Sequence, residues 1–225
     1  VYKRQKDVRP LLTEIYARYA AIAAPFQVAP ELLAEIQSAL QQFLTLSPND
    51  DPHFHDKILA SGEDNNARLI AGILQASGLA ARYLNPEELG ILVTDEPQNA
   101  RILPASYTKI NAWAETEEIL VIPGFFGYTE DGEICTFSRG GSDISGALVA
   151  AGVNATLYEN FTDVDGIFST HPGYVHHPEP IKELTYREMR ELSYAGFTVL
   201  HDEALMPSYL SLIHISEPTR PRLIS

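Results

Sequence analysis

The chain has 225 residues, 45% of them apolar, with 16 basic against 30 acidic side chains and a formal net charge of −14. That length allows one full-sized domain or two small ones. The acidic balance repels phosphate backbones and anionic lipid, so neither nucleic acid nor a membrane surface is an expected partner. A single cysteine, Cys135, excludes an internal disulfide and a four-cysteine zinc site, and it fits a reducing, cytoplasmic setting. No uncharged apolar run reaches the roughly 18 residues of a membrane span.

In chain order, Val1–Gln5 shows no sustained period, and neither does Ser211–Ser225. Both resemble translated adapter sequence and are set outside the expected domain, which runs from Lys6 to Leu210. Apolar residues at three- and four-residue steps predict a helix over Lys6–Phe26 and a second over Pro30–Leu46. Ser47–Pro52 reads as a loop. A third helix is predicted over Asp56–Ala76 and stopped by Gly78. Short strands are expected at Ala80–Leu84 and Gly90–Thr94, and a helix at Ser106–Ala114 capped by Ser106. Glu118–Pro123, continuously apolar at its centre, reads as a buried strand. Phe125–Tyr128 and Glu133–Phe137 flank an Asp131-Gly132 turn and form a hairpin. Ser142–Ala151 and Thr185–Ala195 read as helices, Thr156–Phe161 and Thr198–His201 as strands. Helices alternating with short apolar strands imply an α/β domain with a mostly parallel sheet.

Three stretches carry chemistry. In Thr136–Gly146 a strand gives way to Gly140-Gly141, and Ser142 can cap the helix that follows. Glycines let the backbone approach a ligand, the first helical amides favour an anion, and Arg139 adds a fork for carboxylate or phosphate. Asp143 suits the helix dipole or a polar substrate contact. A tight strand-to-helix turn explains the same residues without a ligand. In Glu159–Pro172 a strand runs into a polar loop where Thr162 and Asp163 could meet ribose or metal; an Asx turn is the plainer alternative. Ser61-Gly62 interrupts the helical texture before Glu63, whose carboxylate could hold an ammonium group or merely open a helix. His53, His55 and Asp56, and separately His176-His177, lie too far apart in sequence to predict a transition-metal site. Cys135, on a hairpin strand, reads as a buried structural thiol. Neither a GxxxxGK[ST] nor a GxGxxG pattern occurs.

Taken together, TFSRGGSD (136–143), FTDVDGIFSTHP (161–172) and LTYREMRELSYAGFTVLHDEAL (184–205) resemble aspartate kinases of the amino-acid kinase superfamily, in matching order. The resemblance implies a three-layer αβα sandwich and transfer of the ATP γ-phosphoryl group to the aspartate side-chain carboxylate. ATP would come with Mg²⁺. It matches Arg139 to the grip on the substrate α-carboxylate. Gly140, Gly141, Ser142 and Asp143 line that pocket, with Asp143 also catalytic. Glu63 matches the holder of the α-ammonium, and Thr162, Asp163, Gly166 and Phe168 match the nucleotide contacts. Another kinase of the superfamily, acting on glutamate, N-acetylglutamate or a nucleotide, and a non-catalytic aspartate-binding module remain alternatives.

Departures from the family pattern accompany the match. No Lys-Phe-Gly-Gly-like opening loop occurs, Gly173 and Thr198 replace expected basic residues, and the regulatory ACT domains through which the full-length enzyme would dimerise are missing. The chain as it stands is therefore expected to be an incomplete kinase domain without activity.

Overall fold

The computed structural model describes residues 7–46, 50–138, 140–161, 168, 170, 175–179, 181, 184, 185, 187–189 and 191, and the backbone of 214–216. The chain divides into two compact units, residues 1–103 with 115–138, and residues 104–114 with 139–225.

In the first unit, α1 (Arg9–Ala23), α2 (Pro30–Gln42) and α3 (Phe54–Ala76) form a helical layer. Their predicted periodicity is met by a shared core of Ala23, Ile36, Leu40 and Leu69, with Leu12, Ile15, Tyr16, Leu32 and Ile73 packed against it. Prolines sit in the first turns of α1 and α2, where no amide hydrogen is needed. Gly78 ends α3 as expected: its φ is +84°, Leu79 N–H donates to Leu74 O at 3.1 Å, and Gly78 N–H donates to Gln75 O at 2.9 Å. Ser61-Gly62 does not break the helix, which continues through both residues.

β1 (Ala81–Tyr83) pairs in parallel with β2 (Ile119–Val121). β2 is not the buried strand its composition suggests; Ile119 is 45% exposed. Between them lies α4 (Pro86–Leu89), a short helix outside the sequence reading; Asn85 caps it by accepting from Glu87 N–H at 2.7 Å. β3 (Phe126–Tyr128) and β4 (Ile134–Thr136) form the predicted hairpin, with Gly132 at φ +82° in its turn. The predicted strand at 90–94 reduces to single bridges, Leu92 to Tyr128 and Val93 to Ile102. Gly127 has no room for a side chain: a Cβ would stand 2.7 Å from Val93 Cγ1 and 2.9 Å from the Ile91 carbonyl oxygen.

The second unit contains α5 (Ala105–Asn111), α6 (Gly141–Gly152) and β5 (Leu157–Glu159), the last pairing in parallel with β6 (His214–Ser216). Thus a segment expected to lie outside the domain contributes a strand. Pro104, not Ser106, precedes α5; Ser106 is fully buried within it. Residues 187–189 and 191 are helical, and Thr185 and Glu188 hydrogen-bond reciprocally at the start, as a capping box does. The remainder of that predicted helix and the strand at 198–201 lie outside the described residues. Among the described residues, no helix is long and apolar enough to cross a membrane.

Candidate functional site

In the second unit the candidate site is built where α6 begins. Gly140 turns the chain in the left-handed region, φ +73° and ψ 18°, which favours a residue without Cβ. It occupies the cap position assigned above to Ser142; Ser142 instead lies exposed in the first turn. The cap residue, a glycine, offers no side-chain oxygen to the first amides of the helix, and a helix start of this kind suits an anion. Asp143 is half-buried beside them, and its Oδ1 accepts from Asn160 Nδ2 at 3.3 Å. Asn160 directly follows β5, so the carboxyl end of a strand meets the start of a helix, where open α/β sheets bind ligands.

Packing fixes this corner. Gly146 faces the Tyr158 phenol so closely that a Cβ there would collide with it. Burial, and then the Asp143 carboxylate, pushes the Tyr158 phenol up to about 12. At the other end of α6, Asn111 Nδ2 donates to Gly152 O at 3.0 Å. Ser145, buried, donates from Oγ to Gly141 O at 3.0 Å and closes the first turn. Sequence reasoning did not single out Asn160 or Tyr158; their signal was position, at the end of a predicted strand.

Glu63 belongs to the first unit. It is exposed in the middle of α3 rather than at a helix start. Tyr19 Oη donates to Gly62 O at 3.3 Å, and burial followed by Glu63 and Asp64 raises the Tyr19 pKa. Next to Glu63 lies a network the sequence reading missed. Asp64 accepts from Tyr83 Oη and, at 3.1 Å, from Arg68 Nε, while the Arg68 guanidinium stands 4.1 Å from the Tyr83 ring centroid. Asn85 Nδ2 donates to both Tyr83 Oη and Tyr128 Oη, at 3.1 and 3.3 Å. The network ties this stretch of α3 to β1 and β3. Only the i,i+4 spacing of Asp64 and Arg68 announced it.

Arg139, Thr162, Asp163 and Gly166 lie outside the described residues, and Phe168 is half-buried. The structure thus brings Gly140, Gly141, Ser142 and Asp143 together on one helix start and places Glu63 on α3. Cys135 is fully buried as expected; burial and the Asp56 and Asp95 carboxylates push its thiol up to about 11.

With this geometry in hand, comparison with known proteins is direct. The model of the amino acid kinase family matches residues 9–215. Aspartokinase 3 of Bacillus subtilis is 48% identical over 201 residues, which is 89% of this chain and 44% of that protein. The crystal structure of Escherichia coli aspartokinase III in complex with aspartate and ADP superposes with a TM-score of 0.82 at 26% identity. The match covers 94% of this chain and 49% of that one. Clostridium acetobutylicum aspartate kinase gives a TM-score of 0.71 at 32% identity, over 92% of this chain and 44% of that one. The chain therefore spans about half the length of the relatives it matches.

Proposed function

Because the chain belongs to the amino acid kinase family and has its mixed α/β fold, we propose that it is part of an aspartate kinase, acting in transfer of the ATP γ-phosphoryl group to the aspartate side-chain carboxylate. The observation that carries this reading is the 48% identity to an aspartokinase across 89% of the chain. The likeness to a structure holding aspartate and ADP agrees with it.

In this reading, which rests on the family resemblance, Arg139 and the α6 start serve the α-carboxylate of an amino acid, and Glu63 is the family's counterpart for an ammonium group. Reading both ends of a zwitterion selects an unmodified amino acid over an N-acetylated one. Asp143, holding Asn160, fixes the polar end of β5 beside the helix start. Thr162, Asp163, Gly166 and Phe168 serve the nucleotide. Mg²⁺ enters bound to ATP, as part of the substrate. The aspartate carboxylate is ionised at neutral pH, so it attacks phosphorus without a general base. What the protein must supply is alignment and charge neutralisation. We place the complete protein in the cytoplasm, as a homodimer joined through regulatory domains.

Calorimetry tests the substrate class. Aspartate is expected to bind and N-acetylglutamate not to. Arg139→Ala should weaken aspartate binding by about 2 kcal/mol or more, and Glu63→Gln should weaken it less, because Glu63 is exposed. Binding of N-acetylglutamate in preference to aspartate would overturn the proposal.

A further inference from the structure

Three side chains distant in sequence converge in the first unit. His53 stands at the start of α3, Asp95 in the loop after Thr94, and Cys135 in β4. Cys135 Sγ lies 3.4 Å from His53 Nδ1 and 4.0 Å from Asp95 Oδ1, and His53 Nε2 lies 3.3 Å from the same Asp95 oxygen. One ligand atom from each residue can be chosen so that all lie within 4.8 Å of one another. Cys135 and His53 are buried, whereas the Asp95 side chain is 68% exposed and opens the cluster to solvent.

The framework around them is fixed. Asp56, three residues beyond His53, accepts at Oδ1 from Thr136 N–H, Thr136 Oγ1 and Gln98 N–H, at 2.6, 2.7 and 2.8 Å. Those bonds lock α3, the loop carrying Asp95, and β4 together. The loop is closed again by Ala100 N–H to Thr136 O at 3.1 Å and Arg101 N–H to Thr94 Oγ1 at 3.0 Å. A thiol, an imidazole and a carboxylate are the donors a borderline-soft divalent ion prefers. Tetrahedral zinc, with bonds of about 2.0–2.3 Å, needs its ligand atoms about 3.5 Å apart. The Sγ to Nδ1 separation already meets that, and the exposed Asp95 carboxylate can close the rest. A nucleophilic role for Cys135 fits less well, since its sulfur is fully buried.

We propose that His53, Asp95 and Cys135 form a tetrahedral site for Zn²⁺, with water in the fourth position. The ion clips α3 to the β3–β4 hairpin. Binding exchanges the thiol proton for the metal: a metal–sulfur bond forms, the sulfur–hydrogen bond breaks, and one proton passes to solvent.

Cobalt(II) titration of the chelator-treated full chain tests this, independently of kinase activity. A thiolate-to-cobalt charge-transfer band is expected, with one proton released per ion. Zn²⁺ should displace the cobalt and raise Tm. The exposed histidines His176 and His177 cannot produce that band, because they carry no sulfur. Cys135→Ser should abolish it. Asp95→Asn, a change at an exposed position, should keep the band and weaken cobalt binding by at least the roughly 10–100-fold that loss of an outer-shell partner costs. The proposal is overturned if wild type gives no charge-transfer band, if the band survives Cys135→Ser, or if Asp95→Asn binds cobalt as tightly as wild type.

Discussion

The two compact units organise their polar groups in opposite ways. In the first, buried polar side chains gather partners from far along the chain: Asp56 bonds residues 42 and 80 positions away. In the second, the residues at the start of α6 come from one continuous string, and small residues along the helix let its neighbours pack closely. Gly146 admits Tyr158, and Gly152 admits Ile110. The first arrangement builds a rigid frame whose chemistry is hidden in sequence. The second gathers its polar groups at a helix start whose chemistry can be read directly from the sequence.

Replacing Asp56 gives the largest expected effect. Asp56→Ala strands two buried donors of Thr136, each worth about 1–3 kcal/mol when left unpaired, and also frees the Gln98 amide at an exposed position. A loss of about 3 kcal/mol in denaturant unfolding is expected. Asp56→Asn keeps the accepting oxygen and should cost clearly less. If the two variants lose equal stability, carboxylate charge rather than hydrogen bonding holds the frame.

Glycine contacts probe the comparison next. Gly127→Ala would press a methyl group against a backbone oxygen at 2.9 Å, whereas Gly152→Ala meets only Ile110 side-chain atoms, at 2.5 and 2.7 Å. Overpacking costs about 1–3 kcal/mol. In α6 the helical preference of alanine over glycine, about 1 kcal/mol, offsets part of it. Thermal unfolding should therefore rank Gly127→Ala as the more damaging change. The reverse order would show that α5 and α6 are the less yielding pair.

This division explains what the sequence could reveal. α1, α2 and α6 were legible because a helix writes its buried face at regular steps, and TFSRGGSD because its members are contiguous. The uninterrupted course of α3 was not legible: Gly62 suggests a break, but burial of Ala60, Asn65, Ala67 and Leu69 on the same helix outweighs one glycine's cost of about 1 kcal/mol. The cap of α6 was misassigned because local propensity favours serine, while the turn itself demands a left-handed residue at Gly140. Half-exposure of β2, which pairs with β1 among the described residues, is a matter of tertiary surroundings that no local run of apolar residues records. His53 invited comparison with its neighbours His55 and Asp56, yet folding brings it to Cys135, 82 residues away.

The smallest expected effect concerns two tyrosines, one in each unit. Tyr83 is raised well above the ordinary phenol value by burial, then by its hydrogen bond to Asp64 and by that group's charge. Tyr158 is raised to about 12 by burial first and by the Asp143 charge second. A phenol raised on folding adds stability that is fully present below its unfolded value of 10.0 and is lost as pH rises through its folded value. Both tyrosines should therefore weaken the fold only above pH 10, Tyr158 up to about pH 12. Ultraviolet titration of phenolate separates them. Asp64→Asn should move Tyr83 strongly, since that carboxylate supplies both its hydrogen bond and its nearby charge. Asp143→Asn should lower Tyr158 only part of the way, because burial persists. Equal shifts in the two variants would mean that Asp143 contacts Tyr158 as intimately as Asp64 contacts Tyr83. The α6 start would then be a closed, internally satisfied corner rather than an opening for an anion.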